Sequence, residues 1–319
     1  MLKLEIKLFY FDIVKIALID FFEEYLLNQL KLNHFNYFYF PDSSRQDLLK
    51  PNDYEILILK SKTFIDDEFL SYWKNLRYII RAGAGVDHID LPLLEQKNIL
   101  LITTNEGNAN AVAEHAMGLL LALMNNIPKA NKEVKNFQWI REANRGYEIE
   151  GKTIGIIGYG NTGSAFAKKL KGFECQVLAF DKYKTGFSHQ NVQETDLLTL
   201  QNKADIISFH VPLTKETYYY FDENFVNNLK KPIWLLNLSR GPIVKTCILP
   251  ELLASKKILG CGLDVLEYED FNKLPTEYKN ILEKLYLYDN CIFTPHIGGW
   301  SFESAKKINN LVIKKIIRN

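Results

Sequence analysis

The chain has 319 residues and a formal net charge of +1; 47% of the residues are hydrophobic and 24% are charged. That length suits roughly two domains of about 150 residues each, and the composition is that of an ordinary soluble globular protein. With balanced charge, no basic excess points to nucleic acid or an anionic membrane, and an anionic small molecule must be met by locally placed cations.

The first stretch, 1–14, is apolar but carries Lys3, Glu5, Lys7 and Asp12 and has no small-residue cleavage site. It reads as an extra strand or an extension, not a signal peptide. Runs rich in β-branched and aromatic residues then predict strands at 15–19, 35–40, 54–59, 78–81 and 99–102, with helices such as 21–32 and 66–74 between them. The apolar segment 111–124 predicts a helix buried on most sides, ended or kinked by Pro128. A polar stretch, 131–150, leads into a second series with strands at 153–157, 176–180, 204–209, 233–237, 260–263 and 292–294. The chain closes on a helix over 302–317, where Ile308, Leu311, Val312, Ile316 and Ile317 recur at helical spacing. Two series of βα units predict an α/β protein of two doubly wound parallel-sheet domains, with ligands bound in a cleft.

No apolar run approaches the roughly 20 residues that span a bilayer. The four cysteines, Cys175, Cys247, Cys261 and Cys291, contain no CxxC pair, which argues against a disulfide scaffold or a bound metal. Cys175, Cys261 and Cys291 sit in strand-like runs, as reduced buried thiols do. This suggests a cytoplasmic protein.

The second series opens on Lys152-Thr-Ile-Gly-Ile-Ile-Gly-Tyr-Gly-Asn-Thr-Gly163. Here Gly158, Gly160 and Gly163 form GxGxxG between a strand and a helix. The first glycine permits the tight turn, the second lets backbone approach a pyrophosphate, and the third allows close packing of helix on strand. With Asn161 and Thr162 opening the helix, the pyrophosphate faces free N–H groups and the positive end of the dipole. Asp181 stands 23 positions after Gly158, at the end of the next strand. There it accepts hydrogen bonds from a ribose and repels a 2′-phosphate, which favours NAD over NADP. Lys182 and Lys184 follow it and pull the other way.

Arg240, Glu269 and His296 each follow a later strand, where an open α/β sheet faces its ligand crevice. Singly, they have ordinary explanations as a surface cation, a solvated acidic loop and a core histidine. Together they suit acid–base chemistry at the 2-carbon of a 2-hydroxy or 2-keto acid. A histidine cycles its proton near neutral pH, a carboxylate fixes its tautomer and stabilises the imidazolium, and an arginine grips the substrate carboxylate. Spacing alone does not choose Glu269 over Glu267.

Six motifs, in order and across nearly the whole chain, resemble the D-isomer-specific 2-hydroxyacid dehydrogenases. They are Arg81-Ala-Gly-Ala-Gly-Val-Asp-His-Ile-Asp90, Asn108-Ala-Asn-Ala-Val-Ala-Glu114, His210-Val-Pro-Leu-Thr214, Asn237-Leu-Ser-Arg-Gly241, Gly262-Leu-Asp-Val265 and Thr294-Pro-His-Ile-Gly-Gly299. The resemblance implies a Rossmann NAD-binding domain, 109–299, inserted into a flavodoxin-like substrate domain, 1–108 and 300–319. It implies Arg240 as the substrate-binding cation, His296 as the acid/base and Glu269, five residues after Asp264, as its partner. It places His210, Val211, Pro212, Thr214, Asn237, Ser239, Gly298 and Gly299 beside the cofactor, and Asp264 on the nicotinamide carboxamide. Ala82, Gly83, Ala84 and Gly85 with Arg81, and Asn108, would bind substrate. A homodimer through the NAD-binding domain is expected.

Arg81, Lys60-Ser61 and Arg141 resemble features of the D-3-phosphoglycerate dehydrogenases within that family, and together they could meet a phosphate. The reaction expected is oxidation of D-3-phosphoglycerate to 3-phosphohydroxypyruvate, in serine biosynthesis. Asp270 and Trp300 depart from the family pattern of proline and serine at those places. They keep open a reductase of hydroxypyruvate, glyoxylate or another small 2-keto acid. An NAD-sensing corepressor-like binding protein is the remote alternative.

Overall fold

The computed structural model describes residues 14–317; all but the last residue of the 1–14 stretch lies outside the described residues. They divide into two compact units, one running to Asn108 and resuming at Ser301, the other Ala109–Trp300.

The first unit is built on a wholly parallel five-stranded sheet: β1 Lys15–Leu18, β2 Asn36–Tyr39, β3 Ile56–Leu59, β4 Tyr78–Arg81 and β5 Leu100–Thr103, in the order β2-β1-β3-β4-β5. Side chains alternate between the two faces of a strand, and the buried residues divide accordingly. Ile16, Leu18, Ile56, Ile58 and Ile80 pack with Leu26 and Leu30 of the helix Glu24–Leu32 and with Val312 and Ile316 of the helix Phe302–Ile317. Ala17, Leu57, Leu59 and Ile79 pack on the other face with Phe69 and Trp73. Because helices cover both faces, β3 reads Ile-Leu-Ile-Leu and all four residues are buried. The order reverses between β1 and β3, so the ends of those strands form the unit's switch point.

The second unit has a wholly parallel seven-stranded sheet: β6 Thr153–Ile157, β7 Gln176–Phe180, β8 Val192–Glu194, β9 Ile206–Phe209, β10 Ile233–Asn237, β11 Ile258–Leu263 and β12 Cys291–Phe293, in the order β12-β11-β10-β9-β6-β7-β8. One face carries the helix Ala109–Met124, whose Val112, Ala116, Leu120 and Leu123 pack against Ile154, Ile156, Trp234 and Leu236. The opposite face buries Ile157, Leu178, Ile207, Phe209 and Leu235. Here the switch point lies between β6 and β9. Aspartates start several of the short helices: Asp66, Asp90, Asp196 and Asp222 each accept an N–H three residues on.

Two local expectations are corrected, and one strand is unforeseen. Pro128 neither ends nor kinks the long helix, which stops at Met124. Asn126 turns left-handed (φ 52°), and Pro128 sits in the first turn of a new helix, Ile127–Lys135, where its missing N–H costs nothing. β8 was not expected, because three residues are too few to show alternation. Cys175 precedes β7 and is only half-buried.

Candidate active site

The chain leaves β6 through Gly158, whose φ of +93° suits glycine, and enters the helix Asn161–Lys169. A Cβ on Gly158 would lie 2.5 Å from the carbonyl oxygen of His210, which follows β9 across the switch point. One on Gly163 would lie 2.0 Å from the Gly158 carbonyl oxygen, whereas one on Gly160 would meet nothing within 4 Å. The turn is therefore closed on its inner side and open at Gly160. No side chain caps the helix behind it, so the first-turn N–H groups remain for an anion. This is a cradle that fits a dinucleotide pyrophosphate.

Asp181 ties this turn to the end of β7. One carboxylate oxygen accepts the Tyr159 N–H at 2.7 Å, and the other accepts those of Tyr183 and Lys184 at 3.0 Å. The two lysines behind it are engaged elsewhere. Lys182 pairs with Glu216 at 2.7 Å, and Lys184 donates to the Tyr159 carbonyl at 3.2 Å. The ring of His210 turns inward to Ser208 Oγ at 2.9 Å and lies beside Phe166. Burial pushes its pKa down to about 3, so it is neutral. Its backbone, with Val211, is what borders the glycine turn. Further along, Thr217 donates to the Pro212 carbonyl at 2.6 Å, and Thr214 Oγ1 accepts the Glu216 N–H.

Beyond β10, Asn237 is fully buried and folds its own loop. Its amide donates to the Arg240 carbonyl at 2.9 Å and its oxygen accepts the Ser239 N–H at 3.1 Å, while Ser239 donates to the Phe209 carbonyl at 2.7 Å. Arg240 donates to the Ser239 carbonyl at 2.7 Å. A Cβ on Gly241 would sit 2.0 Å from the Leu266 carbonyl, so the loops after β10 and β11 run against each other.

That contact brings in the loop with the two candidate glutamates. Glu269 Oε2 lies 2.8 Å from His296 Nδ1, and both side chains are about half exposed. Glu267 instead accepts the Tyr219 hydroxyl at 2.6 Å and the Thr246 N–H at 2.8 Å. His296 has φ +54°, a left-handed geometry that costs a non-glycine residue on the order of 1–3 kcal/mol. Asp264, at the end of β11, holds it there. The Asp264 carbonyl accepts the His296 N–H at 2.7 Å, and its carboxylate accepts those of Ile297 and Gly298 at 2.9 and 2.8 Å. Burial alone would raise the Asp264 carboxyl, but hydrogen bonds from His115, Thr294 and the two amides outweigh it and hold the group below the usual carboxylate range. Nothing in the sequence marks His115 or Thr294 individually, because no local pattern distinguishes a side chain bonded to a distant loop from ordinary helix packing.

In the first unit, Lys60 follows β3 and Arg81 ends β4, and the strand register sets Leu59 opposite Arg81. Lys60 Nζ is 3.7 Å from Glu23 and lies over the Phe22 ring at 5.0 Å. Its N–H donates to the Asp20 carboxylate. Ser61 is exposed. Arg81 folds into its own loop, donating to the carbonyls of Ala82 and Gly85 at 2.7 Å each, across Gly83 (φ +141°). Gly83 donates to Thr104, and Ala84 is exposed at the turn. Behind the loop, His88 is buried with Nε2 unpartnered, and burial lowers its pKa. The Asn108 Oδ1 is likewise buried without a partner. In the second unit, Arg141 is exposed and precedes the short turn Glu142–Asn144.

Residues 117–298 match the family profile described as "D-isomer specific 2-hydroxyacid dehydrogenase, NAD binding domain". The chain is 35% identical over 264 residues to the hydroxypyruvate reductase of Thermotoga maritima, covering 83% of this chain and 84% of that protein. It is 35% identical over 277 residues to the D-3-phosphoglycerate dehydrogenase of Archaeoglobus fulgidus, covering 86% of this chain and 51% of that protein. The D-lactate dehydrogenase from Aquifex aeolicus, solved with NAD and lactic acid, matches the fold with a TM-score of 0.82 at 26% identity, covering 95% of this chain and 94% of that one.

Proposed function

The chain belongs to the D-isomer-specific 2-hydroxyacid dehydrogenases, NAD-dependent oxidoreductases, and from that premise we propose that His296, Glu269 and Arg240 interconvert a D-2-hydroxy acid and its 2-keto acid. The observation that carries this reading is the 2.8 Å contact between His296 Nδ1 and Glu269. Nδ1–H donates to the carboxylate, which fixes the tautomer and leaves Nε2 to exchange a proton with the substrate oxygen. NAD held in that cradle would supply the hydride acceptor at C2 for oxidation and, in reduced form, the hydride donor for the reverse reaction. Oxidation then uses neutral His296 as base, and reduction uses the protonated form as acid. Arg240 binds the substrate carboxylate and polarises the C2 oxygen.

Gly158, Gly160, Asn161, Thr162 and Gly163 would hold the pyrophosphate, and Asp181 the adenosine ribose. His210, Val211, Pro212, Thr214, Asn237, Ser239, Gly298 and Gly299 would border the rest of the cofactor. Asp264 Oδ2, bonded to the Gly298 N–H, has a second lone pair for the nicotinamide carboxamide.

For the substrate we propose D-3-phosphoglycerate, oxidised to 3-phosphohydroxypyruvate in serine biosynthesis. Its support is the pair of cations Lys60 and Arg81 on adjoining strand ends, with Ser61, Ala82, Gly83, Ala84, Gly85 and Asn108 close in sequence, and the exposed Arg141. A second reading, reduction of hydroxypyruvate or glyoxylate, is favoured by the Glu23 pairing of Lys60 and by the two carbonyls that engage Arg81. A panel of 2-hydroxy and 2-keto acids assayed with NAD(H) and NADP(H) decides between them. Fast NADH formation from D-3-phosphoglycerate supports the first; turnover confined to glyoxylate and hydroxypyruvate overturns it.

The assembly proposed is a homodimer through the second unit. Phe137 and Trp139 are 101% and 81% exposed after the helix Ile127–Lys135, an apolar patch that pairing would cover. The setting proposed is cytoplasmic, supported by buried free thiols at Cys261 and Cys291. Among the described residues no helix is long and apolar enough to cross a membrane.

A further inference from the structure

His115 lies on the helix Ala109–Met124, and its Nε2 is 3.0 Å from Thr294 Oγ1 and 3.4 Å from Asp264 Oδ1. Thr294 donates its one hydroxyl proton to Asp264 Oδ1 at 2.6 Å. A threonine oxygen whose proton is already committed can only accept, so His115 Nε2 carries the hydrogen and donates it to Thr294. Asp264 in turn receives the N–H groups of three successive residues, His296 on its carbonyl and Ile297 and Gly298 on its carboxylate. These bonds hold the left-handed turn at His296 and hence the direction in which its ring leaves the backbone. A continuous chain of hydrogen bonds therefore runs from His115 to the backbone of His296, and none of its links touches Glu269.

We propose that His115 is a positioning residue for the reaction: its Nε2–H, relayed through Thr294 and Asp264, sets the orientation of His296. The relay rests on the reading of His296 as the acid/base residue. Removing the donor leaves Thr294 held by Asp264 alone and Asp264 with weaker restraint. The imidazole then wanders from the geometry that proton transfer needs, while the cofactor cradle at Gly158, carried by other strands, is untouched.

The test uses the whole enzyme, NADH and the best keto-acid substrate of the panel, with His115→Ala, His115→Gln, Thr294→Val, the double variant His115→Ala/Thr294→Val, and His296→Asn. His115→Ala is expected to lower kcat by about tenfold or more, because small misplacements of a reacting group are costly. His115→Gln, which keeps an N–H donor near the same place, should recover most of kcat. Thr294→Val should match the loss, and the double variant should be no worse than either single one, as residues in one relay are not additive. Wild-type kcat in His115→Ala, no recovery with Gln, or losses that multiply in the double variant overturns the proposal. If His115→Ala does not fold, wild-type kcat in Thr294→Val overturns it equally. A fully active His296→Asn would instead remove the acid/base reading itself, whereas an inactive His296→Asn beside a wild-type His115→Ala removes only the relay.

Discussion

His296 Nδ1 is hydrogen-bonded to Glu269 Oε2 at 2.8 Å, while Glu267, two residues earlier in the same loop, is held by Tyr219 and the backbone of Thr246. The two carboxylates therefore have different work, and substitution separates it. Glu269→Gln keeps the shape but loses the charge that stabilises an imidazolium, and kcat should fall about 10- to 100-fold with little change in melting temperature. Glu267→Gln should instead cost about 1–3 kcal/mol of stability, through its two hydrogen bonds, while kcat holds. Steady-state kinetics and urea titrations on both variants check the assignment; reversed phenotypes would move the acid/base partner to Glu267.

His210 predicts a pH dependence of stability. In the unfolded chain a histidine takes up its proton near pH 6.5, but in the folded protein burial delays this to about 3. Between those values the unfolded state binds more protons. The stabilisation is therefore fully present above about pH 6.5 and is lost as pH falls towards 3, at up to about 1.4 kcal/mol per unit. His210→Asn should flatten the slope of urea midpoints measured from pH 7 to pH 4, and an unchanged slope would show that the ring is not the group responsible.

Asp181 predicts the cofactor preference. Its carboxylate lies between the glycine turn and the next strand, with Lys182 and Lys184 already engaged. Asp181→Ala should lower kcat/KM for NAD by about tenfold and raise the NADP-to-NAD ratio, since a 2′-phosphate no longer meets a fixed negative charge. A ratio that is the same in the wild type and in Asp181→Ala would place the discriminating charge elsewhere.

Phe137 and Trp139 predict the assembly. Replacing both with Glu should convert a dimer to a monomer in light scattering, because a charge buried without a partner opposes association strongly. A dimer that survives this change uses another face.

Much of the fold was legible because periodicity is local. The helix Phe302–Ile317 was read with its observed bounds from apolar residues at helical spacing, and β4, β6, β7 and β10 were read to the residue. The misses are local as well. Pro128 reads as the end or a kink of the helix before it, although proline is as much at home in a first helical turn, and the sequence does not say on which side the helix lies.

By itself, the sequence determined the two series of parallel βα units, the glycine turn that needs no side chains at Gly158 and Gly163, and the short list of chemically apt residues after the strands. Those features follow from spacing and residue type. That Glu269 rather than Glu267 lies against His296, and that His210 turns inward, is visible only in the tertiary structure, as are the bonds linking His115 and Thr294 to Asp264. The physical reason is that the bonds of Glu269, Glu267, His115 and Thr294 join segments far apart in the chain, and the turn of His210 comes with its burial beside Phe166. Two glutamates two residues apart look alike until Tyr219 and Thr246 take one of them and leave the other to His296.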